Sequence, residues 1–541
     1  MDIERFRKAG YQAIDRICDH YRSVQNKPVK PSVRPGYLRE ALPAAPPIKG
    51  EDIEDIANDY QNLIMPGVMH WQHPSFFAYF PAAGTLEGII GDLYAATAMN
   101  PGFNWVCGPA CTELENVVMD WVAKLYGLSG DFYNSTNVGG GVIQTAASDS
   151  ALVAIVAARS RYQRLHPDVP MDKLVVYVTT QTHSLGLKAG LVLALPVHAI
   201  PVRSEDNYSL RGQDLREMIE RDKAEGKHPF VIIGTIGTTS SGAIDNIDEI
   251  AETLRDYPEM WLHIDAAWLG AAFSCPELRE RCRLPAVNEY ADSLCVNFHK
   301  WGLVNLDCSG LWVRDRKNLT EVLDITPPFL RSTEGDAGTV TDYRNWGLTL
   351  GRRFRSAKVW FVLRSFGVEG YQAHIRRSIS LGEIFAESVR NHPELLELVA
   401  PPSFSLSVFR ITPSAVPELS ADELNDLNER YYQKINKRKD LALTQTKLDG
   451  VYCIRFVTGA QKTERCHVEV AFNICLETAK LAIKEFIEYK SGCTATIPVR
   501  SHFPTSGLTL KLVTEDWPSS IAHYVLSASL LILVLFYLVF L

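Results

Sequence analysis

Between about residues 85 and 380, short apolar runs alternate with longer stretches whose apolar residues recur every three or four positions. The clearest strands are Leu174 to Thr179, Phe230 to Thr235, Trp261 to Ile264 and Ser293 to Phe298. Apolar strands separated by amphipathic helices predict an α/β fold, a mostly parallel central sheet with helices on both faces. Ahead of it, Ile3, Phe6, Ile14, Ile17 and Tyr21 lie at roughly helical spacing before a proline-rich stretch from 31 to 47, so residues 1–84 read as an arm that packs on something else. A smaller C-terminal α+β domain is expected over 381–490. It closes with a helix carrying Val468, Phe472, Cys475, Ala479, Ile483 and Phe486 on its apolar positions. A linker rich in Ser, Thr and Pro follows over 491–520, and residues 521–541 are uncharged and mostly apolar. About 20 such residues suffice to span a bilayer, but no basic residue follows Lys511, which leaves a membrane tail anchor and an appended tail both open.

Composition narrows the function. A chain of 541 residues with 46% hydrophobic and 22% charged residues is an ordinary globular protein of two or three folded units. A net charge of −8 without a basic stripe excludes nucleic acid as a partner. Eleven cysteines without a Cys-x-x-Cys pair, behind a start that lacks a signal-peptide run, predict reduced thiols in the cytosol. Cys107 and Cys111 could share a helix face, yet no histidine stands at ligand spacing and no metal is expected.

Two strand ends carry the candidate chemistry. Lys300, in Asn-Phe-His-Lys-Trp (297 to 301), follows the apolar run Ala291 to Val296 and lies 35 residues beyond Asp265 in Trp-Leu-His-Ile-Asp (261 to 265). An amine at one buried strand end can form an imine with an aldehyde cofactor, and a carboxylate at another can hold a pyridine nitrogen protonated. That pairing suggests pyridoxal 5'-phosphate. Thr-Ala-Ala-Ser-Asp-Ser (145 to 150), after the triple glycine 139 to 141, supplies small residues at a helix start, where backbone donors could cradle a phosphate.

The surrounding segments resemble the aromatic L-amino acid decarboxylases of pyridoxal-phosphate fold type I: His-Pro-Ser-Phe-Phe-Ala-Tyr-Phe-Pro (73 to 81), Pro-Ala-Cys-Thr-Glu-Leu-Glu (109 to 115), Gly-Gly-Gly-Val-Ile-Gln (139 to 144), Leu-Val-Asn-Leu-Asp-Cys-Ser (303 to 309) and Leu-Gly-Arg-Arg-Phe-Arg-Ser (350 to 356). The resemblance implies an obligate homodimer clasped by the amino-terminal arm. It implies phosphate contacts from Ala147, Ser148, Asn297 and His299, a ring-stacking His183, Thr239 beside the ring, and Arg455 near the substrate. Trp71, Tyr79, Phe80, Pro81 and Phe103 read as the aromatic wall of a side-chain pocket, and Gly351 leaves room for an indole, which places tryptophan first among substrates, then phenylalanine and tyrosine.

Three positions depart from the family pattern. Phe298 replaces the usual proline before the His-Lys pair, and Ala82 replaces a threonine that can bond a catechol, which lowers the expectation of a catechol substrate. Phe329, in Pro-Pro-Phe-Leu-Arg (327 to 331), stands where the family's mobile catalytic loop carries the tyrosine that protonates the product carbon. Related plant enzymes with phenylalanine there release an aldehyde, ammonia and hydrogen peroxide. Decarboxylation to the amine is the first reading, an aromatic acetaldehyde synthase the alternative, and an inactive membrane-tethered scaffold a remote third.

Overall fold

The computed structural model describes residues 1–490. The 491–520 linker and the apolar segment 521–541 lie outside the described residues, and among the described residues no helix is long and apolar enough to cross a membrane.

Seven strands form the main sheet: β1 (Gly140–Gln144), β2 (Leu174–Thr179), β3 (Val197–Ile200), β4 (His228–Thr235), β5 (Trp261–Asp265), β6 (Ser293–Val296) and β7 (Ser309–Val313). Their order is β1-β7-β6-β5-β4-β2-β3, and the pairings are parallel except where β7 runs antiparallel to β6 and β1. The mostly parallel sheet predicted from the apolar runs is therefore present. β2 and β5 are buried along their whole length, as strands covered on both faces must be. One apolar core gathers Val175, Tyr177, Ile232, Leu262 and Ile264, while a second takes Val176, Val178, Val231, Ile233 and Trp261, so alternate residues of each strand serve opposite faces.

The fourth predicted strand runs shorter than expected. β6 stops at Val296, and Phe298–Trp301 forms one helical turn. The β5–β6 register ends at Asp265 opposite Cys295, and the Asn297 amide instead donates to the Ala267 carbonyl at 3.0 Å. Lys300 thus stands on a turn just past the strand end.

A four-stranded antiparallel sheet, β8 (Leu396–Leu398), β9 (Leu406–Ile411), β10 (Thr444–Leu448) and β11 (Val451–Val457), has the order β10-β11-β9-β8. The helix Arg465–Lys490 packs on it, burying Val468, Phe472, Cys475, Ala479 and Phe486 with Ile483 at the margin. At the amino end the helix Ile3–Ser23, capped by the Asp2 side chain, has no buried residue. Its apolar side, with Ile3 69% and Phe6 58% exposed, faces an apolar groove shared with Ile53, Ala57, Ile89 and Leu93.

Candidate active site

The C-terminal ends of β4, β5 and β6 meet the start of the helix Ala147–Leu165 around a cavity of about 140 Å³. Phe80, Ala147, Ser148, His183, Thr239, Asp265, Asn297 and Lys300 line it. Crevices at strand C-termini are where open α/β sheets place ligands.

Burial pushes the Lys300 ammonium below its ordinary range, Asp265 and Cys295 oppose that shift, and Arg455 adds to it. A lowered lysine holds more of its amine in the neutral, nucleophilic form. Asp265 is buried, and its Oδ1 accepts from the Ala267 amide at 3.0 Å. His183 Nδ1 accepts from the Leu185 amide at 3.2 Å, so in the neutral ring the proton sits on Nε2. Desolvation, then the Lys300 charge, keep that ring below the usual imidazole value despite Asp265.

The helix Ala147–Leu165 has no side-chain cap of its own. Asn297 Oδ1 accepts from the Ala147 amide at 2.9 Å and caps it from across the site. The Asp149 and Ser150 amides donate to the Ala146 carbonyl, each at 3.1 Å, which leaves the Ser148 amide of this turn for a phosphate. At Gly237, also on the wall, φ is +90° and a Cβ would approach Leu269 Cγ to 2.6 Å. Only glycine fits that turn. A nucleophilic amine, a buried carboxylate and a helix start with small residues form a donor set that fits pyridoxal phosphate.

Arg455, on β11, reaches the same region. It is 3% exposed, its guanidinium lies 4.8 Å from the Phe80 ring centre, and Lys300 Nζ lies 5.2 Å from that centre. It bonds the Thr444 hydroxyl at 3.2 Å and the Tyr79 carbonyl at 3.3 Å, while its Nε is buried without a partner. Phe80 in turn stacks on Trp268 at 4.3 Å, and Pro81 packs against Gly459.

Other predicted positions fall elsewhere. His299 is buried with Nδ1 2.8 Å from the Cys308 carbonyl oxygen and 3.0 Å from its amide, and is not on the cavity wall; burial and then Lys300 push its ring down to about 4. Trp71 and Tyr79 stack on each other at 5.4 Å, with Tyr79 half exposed. Phe103 and Gly351 belong to a separate clamp in which the Arg344 amide donates to the Phe103 carbonyl at 3.0 Å and the Arg352 amide to Pro101 at 2.6 Å. The buried Glu115–Arg352 pair, at 2.6 Å, anchors that clamp to β1 through the Ile143 amide. Phe329 sits on the turn Pro328–Leu330 and is 80% exposed. Sequence reasoning missed Thr235, Gly237, Ala267 and Trp268 on the cavity wall. Their only signal was proximity to the quoted Thr239 and Asp265.

A mostly parallel sheet carrying a buried amine, a buried carboxylate and a helix start around one cavity is the architecture of a pyridoxal-phosphate enzyme. The conserved domain of pyridoxal-dependent decarboxylases matches residues 35–412, and the chain belongs to that family. It is 41% identical over 493 residues to the aromatic-L-amino-acid decarboxylase of Rattus norvegicus, covering 90% of this chain and 99% of that protein. Two solved structures, each 34% identical and each covered over 99% of its length by 89% of this chain, are similar to it throughout: Oryza sativa TDC with PLP and tryptamine, with a TM-score of 0.86, and Rhodiola rosea 4-hydroxyphenylacetaldehyde synthase, with a TM-score of 0.81. The chain is thus a lyase of the aromatic amino acid decarboxylase family, and its cofactor is pyridoxal 5'-phosphate.

Proposed function

We propose that this enzyme decarboxylates an aromatic L-amino acid, tryptophan first and then phenylalanine or tyrosine, to the arylalkylamine and carbon dioxide. The observation that carries the reading is Lys300, whose ammonium burial pushes below its ordinary range, on the same cavity wall as Asp265, with Arg455 close by and lacking any carboxylate partner among the described residues. Bound pyridoxal phosphate supplies an aldehyde for the substrate amine and a ring that takes up the electrons left when carbon dioxide departs. Lys300 would hold the cofactor through its amine, and Asp265 would hold the pyridine nitrogen protonated. Ser148 would hold the phosphate at the helix start, which Asn297 caps through the Ala147 amide, with His299 bracing the turn behind them, and Thr239 would flank the ring. Arg455 receives the substrate carboxylate and Phe80 the aromatic side chain.

We further propose a homodimer. Phe103, Gly351 and Phe329 do not line the Lys300 cavity of their own chain, and the apolar side of the helix Ile3–Ser23 is uncovered. A second copy would cover that helix and bring a further wall, with Trp71, Tyr79 and Pro81, to the substrate.

Amine formation needs a proton at the reacting carbon. His183, with its proton on Nε2, can hold one there. The second reading, aldehyde synthesis, is supported by Phe329, which has no hydroxyl to give a proton. The test is to supply tryptophan aerobically and quantify amine, aldehyde, ammonia and peroxide for wild type and Phe329→Tyr. Amine without peroxide from the wild type supports the first reading. Aldehyde with equimolar peroxide, shifting to amine in the variant, would replace it by the second.

A further inference from the structure

Three side chains share one register row at the ends of β4, β5 and β6. Thr235 is opposite Asp265, and Asp265 is opposite Cys295. Residues paired across a sheet point to the same face, so the carboxylate stands between a hydroxyl and a thiol. On the thiol side Cys295 Sγ lies 4.0 Å from Asp265 Oδ1, the oxygen that also accepts from Ala267. Burial, reinforced by Asp265, keeps that thiol well above its ordinary range and therefore protonated.

The hydroxyl side is unfinished. Thr235 is 2% exposed, lines the cavity, and its Oγ1 has no hydrogen-bond partner. A buried hydroxyl without a partner is unfavourable and rare enough to need a reason. Its own amide donates to Asp245 Oδ2 at 2.7 Å, and Asp245 Oδ1 accepts from the Leu210 amide at 2.9 Å, so both oxygens of that neighbouring carboxylate already have donors. Asp265 Oδ2 accepts no hydrogen bond among the described residues.

We propose that Thr235 is a positioning residue for the cofactor: its hydroxyl, unpartnered here and in register with Asp265, turns to donate to that carboxylate when the cofactor binds and, with Cys295 on the opposite flank, holds it in place for the pyridine nitrogen. The inference rests on the assignment of this cavity to pyridoxal phosphate. A purely structural threonine would serve only as a β-branched strand residue, a role valine fills equally well. Thr235→Val therefore separates the two, and Thr235→Ser should restore the hydroxyl's effect.

The measurement is pyridoxal phosphate binding to apoenzyme by equilibrium dialysis across a pH series, with thermal unfolding of each apo variant alongside. Loss of one donor to a charged group should raise the Kd of Thr235→Val about tenfold. The acid limb of the Thr235→Val binding profile should lie at higher pH than that of wild type. Thr235→Ser should lie near wild type in both, and apo Thr235→Val should unfold no lower than wild type because an orphaned hydroxyl has gone. Should the valine variant fail to fold, Thr235→Ala removes the same hydroxyl without adding a methyl and is read identically. A Kd within twofold of wild type with an unmoved acid limb overturns the role of Thr235 alone. Wild-type apoenzyme that takes up no pyridoxal phosphate overturns the site assignment and this proposal together.

Discussion

Replacing Arg455 with methionine should leave the fold nearly as stable as before while removing most of the activity. Burial pushes this guanidinium well below its ordinary range, down to about 10. At about 1.4 kcal/mol for each tenfold in the proton equilibrium, holding the cation there costs about 3 kcal/mol. Against this stand the bonds to the Thr444 hydroxyl and the Tyr79 carbonyl, at 3.2 and 3.3 Å, and the contact with the Phe80 ring at 4.8 Å. Each is worth about 1 kcal/mol, so the two sides nearly cancel. Methionine fills similar space without a charge. Chemical denaturation should place Arg455→Met within about 1 kcal/mol of wild type. Loss of a charge-assisted contact with the substrate carboxylate, worth roughly 1.5 to 3 kcal/mol, should lower kcat/KM by about 10- to 150-fold. A variant destabilised by more than about 3 kcal/mol with kcat/KM unchanged would show that the arginine serves the fold and not the substrate.

Two further substitutions separate space from strain. A Cβ at Gly351 meets nothing within 4 Å, so Gly351→Ser should leave the melting temperature unchanged yet shift the kcat/KM ratio from tryptophan toward tyrosine by roughly 1 to 3 kcal/mol; an unchanged ratio removes Gly351 from the pocket. Gly237→Ala combines φ of +90° with a 2.6 Å approach to Leu269, so it should lower apoprotein stability by at least about 1 kcal/mol and weaken cofactor retention. Wild-type values for both would contradict the assigned turn.

Much of the sheet was legible because its central strands are continuous apolar runs. β2 has the predicted bounds, and β5 the predicted start. Lys300 and Asp265 were legible for the same reason, as polar residues that end such runs. What the chain order conceals is lateral. Thr235, Asp265 and Cys295 become neighbours only through the strand order β4-β5-β6, and nothing in the local sequence of Thr235 sets it apart from other strand threonines. The joining of Phe103 to Arg344 and of Pro101 to Arg352 by backbone hydrogen bonds is hidden likewise, since backbone pairing between loops leaves no side-chain pattern. The end of β6 was misplaced because Asn297 and Phe298 continue a strand-like composition, while the Asn297–Ala267 bond turns the chain away.

The chemistry of this enzyme turns on Lys300 as the residue that holds the cofactor. Borohydride reduction of the cofactor-loaded enzyme, followed by digestion and mass mapping, tests it directly. The pyridoxyl group should be found on the peptide containing Asn297 to Trp301, attached to Lys300, and Lys300→Ala should take up cofactor without retaining it after reduction. A label on any other lysine, or none on a wild-type enzyme that releases carbon dioxide from tryptophan, would contradict that role of Lys300.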